Sequence, residues 1–226
     1  MSGIFQRYQD IRRRIDAAAA EENRDPSGIV LLPVSKTFPA DAIAELYNCG
    51  VRDFGENRAA ELCEKAAQLP ADIRWHFIGR LQSNKVRKVV QTCQMIHSVD
   101  TPELLERIDR IAGEEGRHPQ ILLEVSVSGE KCKGGVSLEK LHELCLLAAQ
   151  CRNVDFQGFM TMAPLDADEA YTAALFEMLA LRRDEESRLL DKVLPVLSMG
   201  MSGDFETAVR HGSTLVRVGT AIFGVR

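Results

Sequence analysis

The sequence lacks the features that would assign it to a membrane, secreted or general nucleic-acid-binding class. No segment approaches the roughly 18 consecutive apolar residues that span a bilayer. The N-terminus has no apolar run typical of a secretory signal. Basic residues are not in excess either, because 28 of them stand against 33 acidic residues and the net charge is −5, whereas nucleic-acid binders are usually basic. We therefore expect a cytoplasmic protein that binds neither membrane nor nucleic acid.

The six cysteines and five histidines show none of the spacings typical of metal sites. There is no C-x-x-C pair, no zinc-module spacing and no H-E-x-x-H. His142 and Cys145 could share a helix face, but core packing is the favoured interpretation. Reduced thiols in a cytosolic protein are the simplest account of the cysteines, and we predict no metal.

What the sequence does contain is an alternation of helical and extended patterns. Residues 4–22 are predicted to form an amphipathic helix, because Ile4, Tyr8, Ile11 and Ile15 recur at helical spacing. After a break at residues 26–28, short apolar runs alternate with helical segments. The predicted strands are 29–34, 51–54, 73–78, 95–99, 121–127, 154–159, 193–197 and 214–218. The predicted helices between them are 40–48, 57–68, 83–91, 102–115, 137–150, 168–190 and 203–211.

Continuous apolar strands separated by helices indicate an α/β fold with a parallel sheet covered on both faces. Eight such units match a (β/α)8 or TIM barrel. An open doubly wound sheet is the alternative, weakened because no G-x-G-x-x-G follows the first strand. No linker divides the chain, so we predict one barrel domain, residues 1–226, with an extra N-terminal helix.

Two loops near the C-terminus have a composition suited to phosphate. Barrels often bind phosphate after their seventh and eighth strands. Ser202 and Gly203 lie where the helix after the seventh strand is predicted to begin, and free amides at a helix start favour anions. Gly219 and Thr220 follow the eighth strand. Alternatively, Ser202 only caps its helix and Gly219 only makes a turn, but both loops together favour phosphate.

Lys36 directly follows the first predicted strand, which would place it in the barrel mouth. Desolvation there would lower its pKa and free the amine to attack a carbonyl. The alternative is a lysine that extends into solvent. A lysine facing a phosphate site would suit a phosphorylated aldehyde or ketone, such as pyridoxal 5'-phosphate (PLP) or a sugar phosphate.

Arg217 ends the eighth predicted strand, beside the proposed phosphate loop. PLP sites place an Asp or an Arg against the pyridine nitrogen. An arginine there disfavours protonation of the ring and makes it a weaker electron sink. The alternative is that Arg217 pairs with a nearby carboxylate.

The chain resembles the YggS/PROSC family of PLP-binding proteins, also called PLP homeostasis proteins. The matching stretches, which cover the chain nearly end to end, are LLPVSKTFP, DFGEN, WHFIGRLQSNK, HSVD, GFMTMAP and LSMGMSGDFETAVRHGSTLVRVGTAIFG. Two positions depart from the family pattern: Arg58 stands where tyrosine is common, and Arg80 where proline is frequent.

This resemblance implies a single-domain barrel like the N-terminal domain of alanine racemase, with PLP held as a Schiff base on Lys36. The residues it assigns to phosphate are Ser202 and the Gly219-Thr220 turn, and Gly203 remains a candidate from the position of its loop. It places Arg217 against the pyridine nitrogen, and Asn57, His76 and Met162 in the pocket. The family is linked to intracellular vitamin B6 balance and lacks an established catalytic activity.

The leading hypothesis is therefore a PLP carrier without established turnover, with PLP-dependent apoenzymes as candidate recipients. We expect a monomer, because a closed barrel leaves no free sheet edge. The alternatives are a PLP-dependent racemase or lyase, or a sugar-phosphate aldolase. A racemase needs a second acid–base group opposite Lys36, whereas Tyr8, Tyr47 and Tyr171, the only tyrosines, are predicted to lie on helices.

Overall fold

Eight parallel strands form a nearly closed barrel in the computed structural model, which describes residues 3–128, 134–164 and 166–224. The barrel order is β1-β9-β8-β7-β5-β4-β3-β2, and a bridge between Val34 and Gly55 joins its two ends. The strands are β1 (Val30–Pro33), β2 (Asp53–Glu56), β3 (Arg74–Phe77), β4 (Met95–Val99), β5 (Gln120–Ser126), β6 (Val136–Ser137), β7 (Asp155–Met160), β8 (Val196–Ser198) and β9 (Leu215–Val218).

Helices cover the outside of the barrel and follow its strands in turn. They are α1 (Gly3–Glu21), α2 (Ala40–Asn48), α3 (Ala59–Gln68), α4 (Val86–Thr92), α5 (Pro102–Glu114), α6 (Leu138–Gln150), α7 (Glu169–Leu189), α8 (Phe205–Arg210) and α9 (Thr220–Phe223). Within the described residues, none of these helices is long and apolar enough to cross a bilayer.

The predicted (β/α)8 architecture is confirmed, and the open doubly wound sheet is wrong. The eight predicted strands correspond to β1–β5 and β7–β9. Thr101 caps the start of α5, because its Oγ1 accepts a hydrogen bond from the Leu104 amide at 3.2 Å. Apolar runs and caps predict these elements well because both act locally along the chain.

Several boundaries differ from the prediction for local reasons. Strand β2 starts two residues later than expected, at Asp53, and β8 has only three residues because Pro195, just before it, has no N–H to donate. A short 3₁₀ turn, Ser83–Lys85, precedes α4. The two-residue β6, which pairs with Val125 and Ser126 of β5, was not predicted. Residues 129–133, which lie between the predicted strand 121–127 and the predicted helix 137–150, are outside the described residues.

The apolar core has two parts. The larger part lies between the strands and the surrounding helices, where α1 packs against α8 and α9 with Ile11 and Ile15 buried. The smaller part lies inside the barrel and consists of Leu32, Met95, Leu122, Met160 and Leu215. These side chains fill part of the barrel interior, and a cavity lies above them at the C-terminal ends of the strands.

Candidate functional site

A cavity of about 940 Å³ opens at the C-terminal ends of the barrel strands. Eight of the nine residues predicted to form the site line it: Lys36, Asn57, Met162, Ser202, Gly203, Arg217, Gly219 and Thr220. The ninth, His76, is buried in the barrel interior and is not among the lining residues. Residues from both ends of the chain therefore meet at one site.

Lys36 lies just beyond β1 and lines the cavity beside the turn that follows β9. That turn approaches closely, because a Cβ at Gly219 would lie 3.3 Å from the carbonyl oxygen of Val34. Lys36 itself is exposed. The expected desolvation of its amine by burial is therefore wrong for this structure, although the expected position in the barrel mouth is correct.

Behind Lys36 lies an ionic cluster, which we call the lysine clamp: the buried residues Ser35, Glu56 and Lys65 and the half-buried Glu61. The ammonium of Lys65 donates to Glu56 Oε1 at 2.6 Å, to Glu61 Oε1 at 2.7 Å and to the Ser35 carbonyl at 2.8 Å. Ser35 Oγ also donates to Glu56 Oε1, at 2.7 Å. Burial raises the pKa of Glu56, and the hydrogen bonds from Lys65 and Ser35 oppose that rise.

The lysine clamp holds the backbone on both sides of Lys36. On one side it binds Ser35, and on the other the amide of Thr37 donates to Glu61. Thr37 has a φ of +68°, a left-handed conformation that is costly for a β-branched residue. The clamp was not predicted from the sequence, because Lys65 lies on an amphipathic helix where a lysine usually faces solvent.

The loops after β8 and β9 present unused amide donors to the cavity. In the described part of the chain, the amides of Ser202, Gly203 and Thr220 donate to no other residue. The amide of Ala221 makes only a long 3.5 Å contact with Ser202 Oγ. Free N–H groups and two hydroxyls around one space suit a tetrahedral anion.

Ser202 is not the cap of the following helix. The N-cap of α8 is Asp204, and Ser202 lies in the turn before it. The helix therefore starts later than predicted, and the interpretation of Ser202 as a helix cap is wrong. Its hydroxyl is free to line the cavity instead.

Arg217 lines the cavity but is almost fully buried. Its Nη1 donates to the Ser198 carbonyl at 2.6 Å and to Ser198 Oγ at 2.7 Å, and its Nη2 donates to the Thr161 carbonyl at 2.8 Å. No carboxylate of a described residue lies within 4 Å of the guanidinium, so the predicted alternative of a direct ion pair is wrong. Burial lowers the pKa of Arg217 to about 10, so the group stays charged at neutral pH.

His76 lies below the cavity, inside the barrel. Its Nδ1 is 2.9 Å from His97 Nε2, and its Nε2 is 3.3 Å from Asp53 Oδ1. His97 in turn contacts Ser198, which holds Arg217. The structure thus places His76 in contact with the site only through other side chains.

Sequence reasoning also missed Glu124 on β5, a buried carboxyl that lines the cavity. Burial is the largest cause that raises the pKa of Glu124, to about 7; Asp100 raises it further, while Arg217 and Arg80 lower it. The sequence does contain a signal for this residue, because Glu124 is the one charged residue within the apolar run ILLEVS. A charge inside an apolar strand indicates a functional or paired group.

The chain matches known proteins over nearly its whole length. The family model described as alanine racemase, N-terminal domain, matches residues 9–226. A pyridoxal phosphate homeostasis protein of Aquifex aeolicus is 40% identical over 222 residues, which cover 98% of this chain and 97% of the relative. The protein of the same name from Pseudomonas aeruginosa is 41% identical over 229 residues, which cover 100% and 97%.

Solved structures show the same fold. PipY of Synechococcus elongatus, with PLP bound, is 41% identical, has a TM-score of 0.83 and aligns over 93% of this chain and 100% of its own. Alanine racemase from Clostridium difficile is only 15% identical, with a TM-score of 0.75. It covers 99% of this chain, but this chain covers only 57% of the racemase, and the likeness concerns the fold alone.

Proposed function

This chain belongs to the pyridoxal phosphate homeostasis proteins of the alanine racemase N-terminal domain family, and from that premise we propose that it holds PLP as a Schiff base on Lys36 and serves intracellular PLP homeostasis. One observation carries the proposal: Lys36, Arg217 and three backbone amides that donate to no described residue line a single cavity. When bound, the cofactor supplies an aldehyde carbon that a primary amine can attack.

The residues around the cavity fit each part of such a cofactor. The free amides and the hydroxyls of Ser202 and Thr220 supply donors for the phosphate. Asn57 Oδ1 is buried without a hydrogen-bond partner among the described residues, so it can accept a hydrogen bond from a ligand. Lys36, in the same cavity, supplies the amine, and Met162 supplies apolar contact.

Arg217 favours a protein that binds PLP without catalysis over a PLP-dependent enzyme. A guanidinium only donates hydrogen bonds, so a ring nitrogen beside it must accept and stays unprotonated. An unprotonated ring withdraws electrons weakly, which disfavours carbanion chemistry. Tyr8, Tyr47 and Tyr171 lie on helices, and none of them lines the cavity, so a tyrosine base opposite Lys36 has no support.

The remaining parts of the proposal concern assembly and location. Residues 1–226 would form a single domain, since the barrel strands run from residue 30 to residue 218 and α1 packs onto α8 and α9. We expect the protein to act as a monomer in the cytoplasm, with PLP-dependent apoenzymes as recipients. His76 would support the site from below without contacting the cofactor.

Borohydride reduction tests the proposed attachment. Protein loaded with PLP is reduced, digested and mapped by mass spectrometry. We expect the cofactor mass on the peptide that carries Lys36, and its loss in the Lys36→Ala variant. Lys88→Ala, which removes an exposed lysine of α4, is the matched control and should label fully. A label on another lysine, or no label, would overturn the proposal.

A PLP-dependent racemase or lyase is the second candidate, favoured by one observation. Glu124 lies in the same cavity as Lys36, and its raised pKa suits proton transfer near neutral pH. Incubation with single enantiomers of amino acids and chiral analysis separates the two functions. Turnover that is lost in both Lys36→Ala and Glu124→Gln would favour the enzyme over the carrier.

A further inference from the structure

Five polar side chains form a continuous hydrogen-bonded chain through the barrel, which we call the interior chain: Asp53, His76, His97, Ser198 and Arg217. It runs from the N-terminal end of β2 to the cavity. Successive distances are 3.3 Å from Asp53 Oδ1 to His76 Nε2, 2.9 Å from His76 Nδ1 to His97 Nε2, 2.9 Å from His97 Nδ1 to Ser198 Oγ and 2.7 Å from Ser198 Oγ to Arg217 Nη1. His97 and Ser198 are completely buried.

The chemistry of its ends sets the direction of the interior chain. Arg217 can only donate, so Ser198 Oγ accepts from it. The Ser198 hydroxyl then has one acceptor within reach among the described residues, Nδ1 of His97. His97 therefore carries its hydrogen on Nε2 and donates to His76 Nδ1, and His76 donates from Nε2 to the Asp53 carboxylate.

The opposite order of donors and acceptors, with the hydrogen of His97 on Nδ1, is disfavoured by the hydrogen bonds of Ser198 and by the charges near His97. A hydrogen on His97 Nδ1 would donate to Ser198 Oγ, which already accepts from Arg217, and would leave the serine hydroxyl without an acceptor. Burial holds the pKa of His97 well below its usual range, and both His76 and Arg217 add to that effect. At the other end, burial alone would raise the pKa of Asp53, but hydrogen bonds from Arg74 and His76 outweigh it and hold that pKa well below its usual range, so Asp53 stays ionised.

We propose that His97 is a positioning residue, whose unprotonated Nδ1 accepts the Ser198 hydroxyl hydrogen and so presents the serine lone pair that holds the Arg217 guanidinium in place. His76 supports it by accepting the Nε2 hydrogen. That this guanidinium then faces the ring nitrogen of PLP rests on the proposed function. The arrangement of the five side chains of the interior chain does not rest on it.

Two substitutions separate the two ends of His97. In His97→Asn, the side-chain oxygen can occupy the place of Nδ1 and still accept from Ser198. In His97→Gln, the side-chain nitrogen can occupy the place of Nε2 and still donate to His76, while the acceptor for Ser198 is lost. Both variants remove one buried hydrogen bond, so a purely structural role predicts similar behaviour from both.

The first measurement uses ¹⁵N-labelled protein without cofactor. In the unchanged protein we expect both histidines to be neutral with the hydrogen on Nε2, and Arg217 to show slowly exchanging guanidinium hydrogens. Slow exchange should persist in His97→Asn and be lost in His97→Gln and in Ser198→Ala. A hydrogen on Nδ1 of His97, or equal Arg217 signals in the Asn and Gln variants, overturns the proposal. The tautomer measurement decides even where a variant does not fold.

The second measurement is PLP affinity by absorbance titration. We expect His97→Gln to bind about tenfold more weakly than His97→Asn, the equivalent of one hydrogen bond to a charged group. Equal affinities would count against the positioning role. If the unchanged protein binds no PLP, the proposed function fails, while the measurements on the cofactor-free protein still test the interior chain.

Discussion

Two hydrogen-bonded networks position the two cationic residues of the site in different ways. Beside β1, the lysine clamp holds the backbone around Lys36 with charged side chains, whereas beneath β9 the interior chain holds Arg217 through histidine and serine side chains. The clamp places one cation, Lys65, against the carboxyl groups of Glu56 and Glu61. The interior chain keeps its charges at its two ends and passes between them through two histidines and a serine.

The difference follows from what each network holds. The clamp fixes backbone around Lys36, including Thr37 in a left-handed conformation that costs roughly 1–2 kcal/mol. Charge-assisted hydrogen bonds can offset such a cost. The interior chain instead orients a side chain that is already charged, and a second cation near Arg217 would repel it. Neutral imidazoles avoid that repulsion.

Lys65→Met should show the largest effect, because it leaves Glu56 buried without its cation. We expect a loss of about 3–5 kcal/mol in the free energy of unfolding, measured by urea denaturation. The loss should be smaller at pH 5 than at pH 8, since burial already raises the pKa of Glu56 and protonation would remove the unpaired charge.

The matched control for Lys65 is an exposed ion pair. Arg210→Met removes the partner of Glu21 at the surface and should cost less than about 1 kcal/mol. A Lys65→Met variant as stable as Arg210→Met would show that the lysine clamp does not contribute to stability, and the contrast with the interior chain would disappear.

Glu124 belongs to neither network and should give the next largest effect. Its pKa is raised to about 7 in the folded protein from an ordinary value near 4.5. Between about pH 4.5 and 7 the folded state therefore binds more protons than the unfolded state does. The free energy of unfolding should fall as pH rises through that range. The full change is up to about 3 kcal/mol, and it should be absent from Glu124→Gln.

Chemical denaturation across that pH range checks the Glu124 prediction. Glu139→Gln, at an exposed position in the first turn of α6, is the control and should keep the slope of the unchanged protein. If Glu124→Gln also keeps that slope, another group is responsible for it.

The barrel and most of the site residues could be predicted because they depend on local patterns and on topology. Apolar runs mark the strands, and the polar residues after them meet once parallel strands close into a barrel. Lys36 and Arg217, 181 positions apart, are brought together in this way. No contact between them had to be known in advance.

The two networks could not be predicted, because their pairing depends on distances that no spacing reveals. Lys65 on α3 has the helical position of a solvent-facing residue, yet it is buried against Glu56. His76 was predicted to line the pocket, whereas its ring lies in the barrel interior below the cavity and contacts His97. Buried polar residues in apolar strands, such as His97 and Glu124, were the available signal.

Thr37→Gly should have the smallest effect on stability and tests what the lysine clamp does. Glycine relieves the left-handed strain at residue 37, of about 1–2 kcal/mol, and also adds entropy to the unfolded chain. The free energy of unfolding should therefore change by less than about 1 kcal/mol. PLP affinity should nevertheless fall, because a glycine lets the backbone beside Lys36 leave the clamped conformation.

Asn23→Gly, also at positive φ but away from the cavity, is the control and should leave PLP affinity unchanged. Equal affinities in the two variants would mean that the clamp stabilises the fold without orienting Lys36.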